Sequence, residues 1–193
     1  LYIWTTSPED LMYHPRNLFV IGRGGCVNIV ETYAGLGNGI RLTNAITEIV
    51  GQKDAMIEHC RLQHEGGGTF HMSGTYVWLD SGSSLRSYLL SLGGLLVRNE
   101  VSVMLEGRGC DCSLDGLYMA GNSQHMDNHL RVEHAGVGCR SRKFYRGVLD
   151  GESHGVFGGR ITVHPGARGT DAEQTNMNLL LSDSALVDTR PQL

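Results

Sequence analysis

Apolar and polar positions alternate in short runs along much of the chain. Val101, Val103 and Leu105 alternate with Ser102 and Met104; Cys110, Cys112 and Leu114 alternate with Asp111, Ser113 and Asp115; Ile161 and Val163 flank Thr162. A period of two puts alternate side chains on one face of a strand. Helical periodicity is scarce. The best window, residues 84–96, is broken by Gly93-Gly94 and reads as two strands with a turn between them.

Small turn residues punctuate these runs. Such clusters precede strands at Gly24-Gly25-Cys26, Lys53-Asp54-Ala55, Ser81-Gly82-Ser83 and Gly107-Arg108-Gly109, then at Pro165-Gly166-Ala167 and Asp183-Ser184-Ala185. The early clusters lie roughly 25–30 residues apart, a spacing typical of stacked repeats, and the later ones lie closer. A single flat rung cannot bury its apolar face, so the recurrence points to stacked coils. The pattern favours an all-β fold, with a β-helix ahead of a β-sandwich. Gln174, Asn176 and Asn178 alternate with Thr175 and Met177. They fit either an amide ladder between stacked strands or a solvent-facing polar strand.

Composition agrees with a turn-rich fold. Glycine supplies 27 of 193 residues and proline only four; the glycine share is about twice the usual ~7%. This excludes collagen and a disordered linker and suits tight turns. The net charge is −4, and no basic stripe is present to hold a phosphate backbone, which argues against nucleic acid as a partner. The short basic run Arg140, Arg142, Lys143 and Arg146 reads as a solvated strand face, with an anion or acidic partner as the alternative. Five cysteines make no disulfide framework, which suggests a reducing compartment such as the cytoplasm. No signal peptide and no apolar run of about 20 residues is visible, so no membrane span is expected. The chain lacks an initiator Met and stops abruptly, and is expected to be a piece of a longer protein.

Candidate chemistry is thin. Cys110 and Cys112 form a C-x-C pair that could hold a soft metal. No second pair or adjacent His completes the set, and their alternation suits small core residues. The same core reading extends to Cys26, Cys60 and Cys139. His125, His129 and His134 would share ligand duty only on a helix or a bent chain. In the extended segment they occupy, buried histidines bonded between coils are the better expectation. Gly22-Arg23-Gly24-Gly25 and Gly66-Gly67-Gly68 lack the Lys-Ser/Thr ending of a phosphate loop. The residues nominate neither a catalytic nor a metal site.

The second half of the chain carries recognisable blocks: Gln124-His125-Met126-Asp127-Asn128-His129-Leu130-Arg131-Val132-Glu133-His134, Ser141-Arg142-Lys143-Phe144-Tyr145-Arg146-Gly147-Val148-Leu149, Gly155-Val156-Phe157-Gly158-Gly159-Arg160-Ile161-Thr162-Val163-His164-Pro165-Gly166-Ala167, and Thr170 onward through Asn176-Met177-Asn178-Leu179-Leu180-Leu181-Ser182 to Thr189-Arg190-Pro191-Gln192-Leu193. In this order they resemble the SufB/SufD core family, nearer SufD than SufB, across nearly all of residues 1–193. The resemblance implies a right-handed β-helix core and a non-enzymatic scaffold for iron–sulfur cluster assembly. It implies a SufB-like partner and a SufC-like ATPase, with cluster, reduced flavin and ATP belonging to the whole complex. No cofactor is expected on this segment itself. The family's Cys and His near the partner interface, and the helical segment that docks the ATPase, would follow Leu193.

Three further expectations complete the reading. Leu186, Val187, Pro191, Gln192 and Leu193 are the candidate partner interface, open also to a homodimer, because a coil end exposes unpaired backbone. The resemblance also suggests cytoplasm, or plastid stroma in a photosynthetic eukaryote. A competing class is a β-helical polysaccharide-acting enzyme, with Asp111 and Asp115 among its acidic residues.

Overall fold

The structure, a computed structural model, describes residues 1–5, 10–35 and 39–192. In chain order its strands are β1 (Tyr2–Thr5), β2 (Leu11–Tyr13), β3 (Arg16–Ile21), β4 (Cys26–Gly35), β5 (Arg41–Gly51), β6 (Met56–His64), β7 (Thr69–Leu79), β8 (Ser84–Ser91), β9 (Leu96–Leu105), β10 (Asp111–Ala120), β11 (His125–His134), β12 (Arg140–Leu149), β13 (His154–Val163), β14 (Asp171–Leu180) and β15 (Leu186–Gln192). No helix occurs among the described residues. The window 84–96 is indeed two strands, with Gly93-Gly94 between β8 and β9.

Successive strands do not pair with each other. The chain alternates between two all-parallel sheets, one ordered β1-β4-β6-β8-β10-β12-β14 and the other β15-β13-β11-β9-β7-β5-β2, with β3 also on β5. From β5 onward each strand stacks on the strand two elements earlier, and β4 stacks on β1, which builds a β-solenoid of about six turns. Phe70 faces Leu96 and His154 faces Leu186, so a coil takes 26 to 32 residues. The solenoid, rather than the sandwich, is the fold.

Two corners join the sheets. At the first, the backbones of successive turns bond to each other: Gly24 N–H to Lys53 O, Asp54 to Ser81, Gly82 to Arg108 and Gly109 to Val137, each at 2.9 Å, and Gly138 to Arg168 at 2.8 Å. The donors sit at positive φ, including Asp54 at 60°, which is why glycine dominates this column. The turn clusters at 165–167 and 183–185 lie on opposite corners. The closer late spacing therefore mixed two columns, and the coil length itself does not shrink.

Close stacking fixes a few more glycines. A Cβ on Gly116 would meet the Tyr145 ring at 2.2 Å, and one on Gly147 would meet the Tyr118 ring at 2.5 Å. Gly116 faces Tyr145 and Tyr118 faces Gly147 across β10 and β12, so each large ring occupies the space its neighbour leaves. The main core cluster includes Ile49, Leu79, Leu105, Leu114, Val132 and Phe157.

Candidate functional site

Register decides which side chains share the interior. One inward column of the first sheet runs Ile29, His59, Ser87, Leu114, Lys143, Gln174; the next runs Glu31, Arg61, Leu89, Gly116, Tyr145, Asn176. The interior is thus polar in the early coils, mostly apolar in the middle and polar again near the end.

Two buried carboxylates organise the early coils. Glu31 Oε1 accepts from the Thr47 hydroxyl at 2.6 Å and from the Asn17 amide at 3.1 Å. Its Oε2 accepts from Arg61 Nε at 2.9 Å and lies 3.4 Å from His59 Nε2. Arg61 Nη2 is also 2.9 Å from Oε2, but off the line of a hydrogen bond, so the Nε contact is the aligned one. Glu65 is held the same way: Thr43 at 2.6 Å and Tyr13 at 2.8 Å on Oε1, Gln63 at 3.1 Å and His71 at 2.6 Å on Oε2.

Burial raises each carboxyl, but the donors outweigh it. The His59 hydrogen bond, the Arg61 and His59 charges and Thr47 bring Glu31 to about 2. His71, Thr43 and Tyr13 bring Glu65 to about 2. His59 itself is lowered, first by burial and then by the Arg61 charge, against the opposing pull of Glu31. Carboxylates ionised this firmly, with their lone pairs occupied, are poor general bases near neutrality. This network tethers coils together. Sequence reasoning missed it, although one signal was present: Glu31 alternates in phase with Ile29 and Tyr33, and Arg61 with Ile57 and His59.

The candidates named from sequence separate. Cys110 and Cys112 are buried in the core, as is Cys139. Cys110 and Cys139 follow Ala55 and Ser83 up the first corner, where both thiols point at Gly107 O, at 3.3 and 3.1 Å. Burial, then the neighbouring Cys139, pushes the Cys110 thiol up to about 12. Burial also raises Cys112 strongly, with the Asp111 charge adding to it. Both are protonated fillers rather than ligands. Cys26 corrects the core reading: it is exposed, and Cys60 is half-buried, because both lie on the outward phase of their strands.

The histidines also divide by phase. His134 points inward and bonds Ser141 Oγ at 2.8 Å. His125 and His129 point outward, so they are not buried as expected. His125 packs edge-on against His154 of the next coil at 4.8 Å, and His129 Nε2 lies 2.7 Å from Asp127. No group of three potential metal ligands occurs among the described residues.

The basic run is split by the same alternation. Arg140, Arg142 and Arg146 face out, whereas Lys143 is buried and donates to Arg160 O at 2.9 Å. Burial lowers Lys143 to about 8, against the raising pull of Cys112. Gln174, Asn176 and Asn178 face inward too. Asn178 donates to Asn176 at 2.7 Å, and Asn176 to Tyr145 O at 3.3 Å. They neither face solvent nor form a ladder between coils, because the coil beneath presents Lys143, Tyr145 and Gly147 instead of amides. Both amide atoms of Gln174 are buried without a partner among the described residues.

Asp111 pairs with Arg140 at 3.0 Å, and Asp115 accepts from Ser113 at 2.8 Å. Leu186, Pro191 and Gln192 are exposed on β15, and Val187 packs on the smaller core cluster around Val97 and Met126. Leu193 lies outside the described residues.

Comparison with known proteins adds what geometry alone does not. The family model for the SUF system FeS cluster assembly SufBD core domain matches residues 3–193. The chain is 36% identical over 130 residues to an iron-sulfur cluster assembly SufBD family protein of Mycobacterium leprae, covering 64% of this chain and 33% of that protein. It is 28% identical over 180 residues to the iron-sulfur cluster assembly protein SufD of Escherichia coli, covering 93% of this chain and 43% of that one. It is 31% identical over 182 residues to the chloroplastic protein ABCI7 of Arabidopsis thaliana, covering 93% and 38%. The chain spans less than half the length of these relatives.

Proposed function

Because the chain belongs to the SufBD core family of the SUF iron–sulfur cluster assembly system, we propose that it is the core of a non-catalytic, SufD-like scaffold subunit. It works beside a SufB-like subunit and a SufC-like ATPase. The observation that carries this reading is the family match across residues 3–193, a span that includes every described strand but the start of β1. Support for a non-catalytic role comes from the interior: its carboxylates are saturated with donors, and its buried thiols are held protonated. The proposed location is the cytoplasm or the plastid stroma, the latter in line with the chloroplastic relative; no helix of the described residues is long and apolar enough to cross a membrane.

The proposed partner contact is β15, which ends its sheet and leaves one backbone edge unpaired among the described residues. Leu186, Val187, Pro191 and Gln192 offer the side chains, with Leu186 60% exposed. A homodimer through the same edge is the second reading, favoured by that open backbone. The cluster is the complex's product, and reduced flavin and ATP enter at the level of the complex, ATP through the SufC-like subunit.

The test is co-expression of the full-length protein with SufB-like and SufC-like subunits. Stable co-purification, and restored iron–sulfur enzyme activity in cells lacking the gene, are the expected results. Leu186→Asp, a charge placed in the contact, is expected to weaken recovery of the SufB-like subunit by about tenfold. If the full-length protein neither co-purifies nor affects cluster delivery, the proposal fails.

A further inference from the structure

The outer face of the second sheet carries a groove of about 350 Å³ across β7, β9, β11, β13 and β15. Two outward columns line it. One runs Glu100, His129, Gly158, Arg190; the other runs Tyr76, Ser102, Arg131, Arg160, Gln192. Strands in a sheet lie about 4.8 Å apart, so Arg131 and Arg160 are nearest neighbours on the same face, and Arg190 flanks them on β15.

Like charges set side by side on a sheet destabilise it unless something neutralises them. Elsewhere on the surface that neutraliser is present: Arg140 has Asp111 at 3.0 Å, and Arg98 has Asp127 at 3.1 Å. In the groove it is nearly missing. Arg131 reaches Glu133 only at 4.0 Å. Arg160 Nε donates to the neutral Gln192 amide at 2.9 Å. Arg190 has no ion pair among the described residues. Glu100 is the one carboxylate in the lining.

The His129 ring packs over the floor of the groove. Gly158 faces outward between His129 and Arg190, and a Cβ there would stand 2.8 Å from His129 Nδ1. The ring is held from Nε2 by Asp127 at 2.7 Å. Guanidinium forks are suited to oxyanions, which they can grip with paired hydrogen bonds. The volume is that of a small-molecule site.

We propose that this groove binds a compact oxyanion carrying two or more negative charges, a phosphate or a phosphorylated small molecule. The groove meets the proposed β15 contact at Gln192, but Arg131 and Arg160 lie on β11 and β13, away from that edge, and binding to them does not depend on the partners proposed above.

Equilibrium binding to the full-length protein tests it, with inorganic pyrophosphate and a sugar phosphate as parallel probes; the tighter probe tells a free oxyanion from a phosphorylated metabolite. Saturable binding is expected, weakened about tenfold or more in R131A/R160A, since each lost charge-assisted pair is worth that much. Glu100→Gln removes the lone opposing charge and is expected to tighten binding severalfold. Arg86→Ala, on the other sheet, controls for general surface attraction and is expected to change nothing. The substituted side chains are on the outer face, and an unchanged thermal midpoint confirms folding. The proposal is overturned if neither probe saturates at millimolar concentration, or if R131A/R160A binds as tightly as the parent protein. Loss of anion binding with intact co-purification of partners would keep this result distinct from the scaffold assignment.

Discussion

The two polar regions of the interior obey different rules. In the early coils each buried carboxylate is ringed by donors from several strands: β3, β5 and β6 for Glu31, and β2, β5, β6 and β7 for Glu65. Near the last coils, Lys143 holds one carbonyl, and His134 Nδ1 and both Gln174 amide atoms are without partners among the described residues. In the first region Arg61 Nη1, Gln63 Oε1 and His71 Nε2 also have no partner among the described residues, but the shell of donors around each carboxylate is closed, so removing a donor strands a buried charge. The second is open, so removing a member strands little. A buried charge is costly to orphan but often no worse when replaced by apolar bulk.

The sharpest way to break the comparison is Arg61→Met. It leaves Glu31 buried with its main counter-charge gone and is expected to destabilise by about 3–5 kcal/mol in urea unfolding. A loss below about 1 kcal/mol, the value of an ordinary surface pair, would show that the network is not closed.

Next in size is acid sensitivity. Glu31 and Glu65 are held at about 2, below the ordinary carboxyl value of 4.5. The unfolded chain therefore takes up their protons first as the pH falls. Their contribution is intact above about 4.5 and is lost progressively toward 2, on the order of 2–3 kcal/mol for each group. Glu65→Gln is expected to flatten the stability curve in that window; an unchanged slope would remove Glu65 from the account.

Lys143 runs with the opposite consequence. Its folded value of about 8 lies below the usual 10.5, so the unfolded state binds the proton more readily between those limits. Stability is expected to rise as pH climbs from 8 to 10.5, and Lys143→Met is expected to abolish the rise. At neutral pH the same variant is expected to be neutral or stabilised by about 1–2 kcal/mol, measured by thermal and urea midpoints. A loss of several kcal/mol would show that Lys143 belongs to a closed network after all.

The smallest effect is Gln174→Leu. With neither amide atom bonded, its replacement by an apolar side chain of similar size is expected to stay within about 1 kcal/mol of the parent protein. A larger loss would reveal partners for that amide beyond the described residues.

Much of this could be read locally. The alternation around Cys110 and Cys112 marked them as core fillers, and the break at Gly93-Gly94 separated two strands. Lys143 shows where local reading ran out. It sits among three arginines in sequence, yet shares its phase with Ser141 and Tyr145, and only that phase is buried. The groove was still less visible. Arg131, Arg160 and Arg190 are spread over three strands, and nothing in the chain between them signals that they share a face.

By itself the sequence determined the strand period, the glycine corners and, through its ordered blocks, the family. Those depend on neighbouring residues, where sterics and alternation act. Tertiary structure alone decided which strand rests on which, and so what each inward or outward side chain meets. That choice couples residues 26 to 32 apart. It places Glu31 beside Arg61 and Arg131 beside Arg160, because parallel stacking brings together positions that the chain itself keeps far apart.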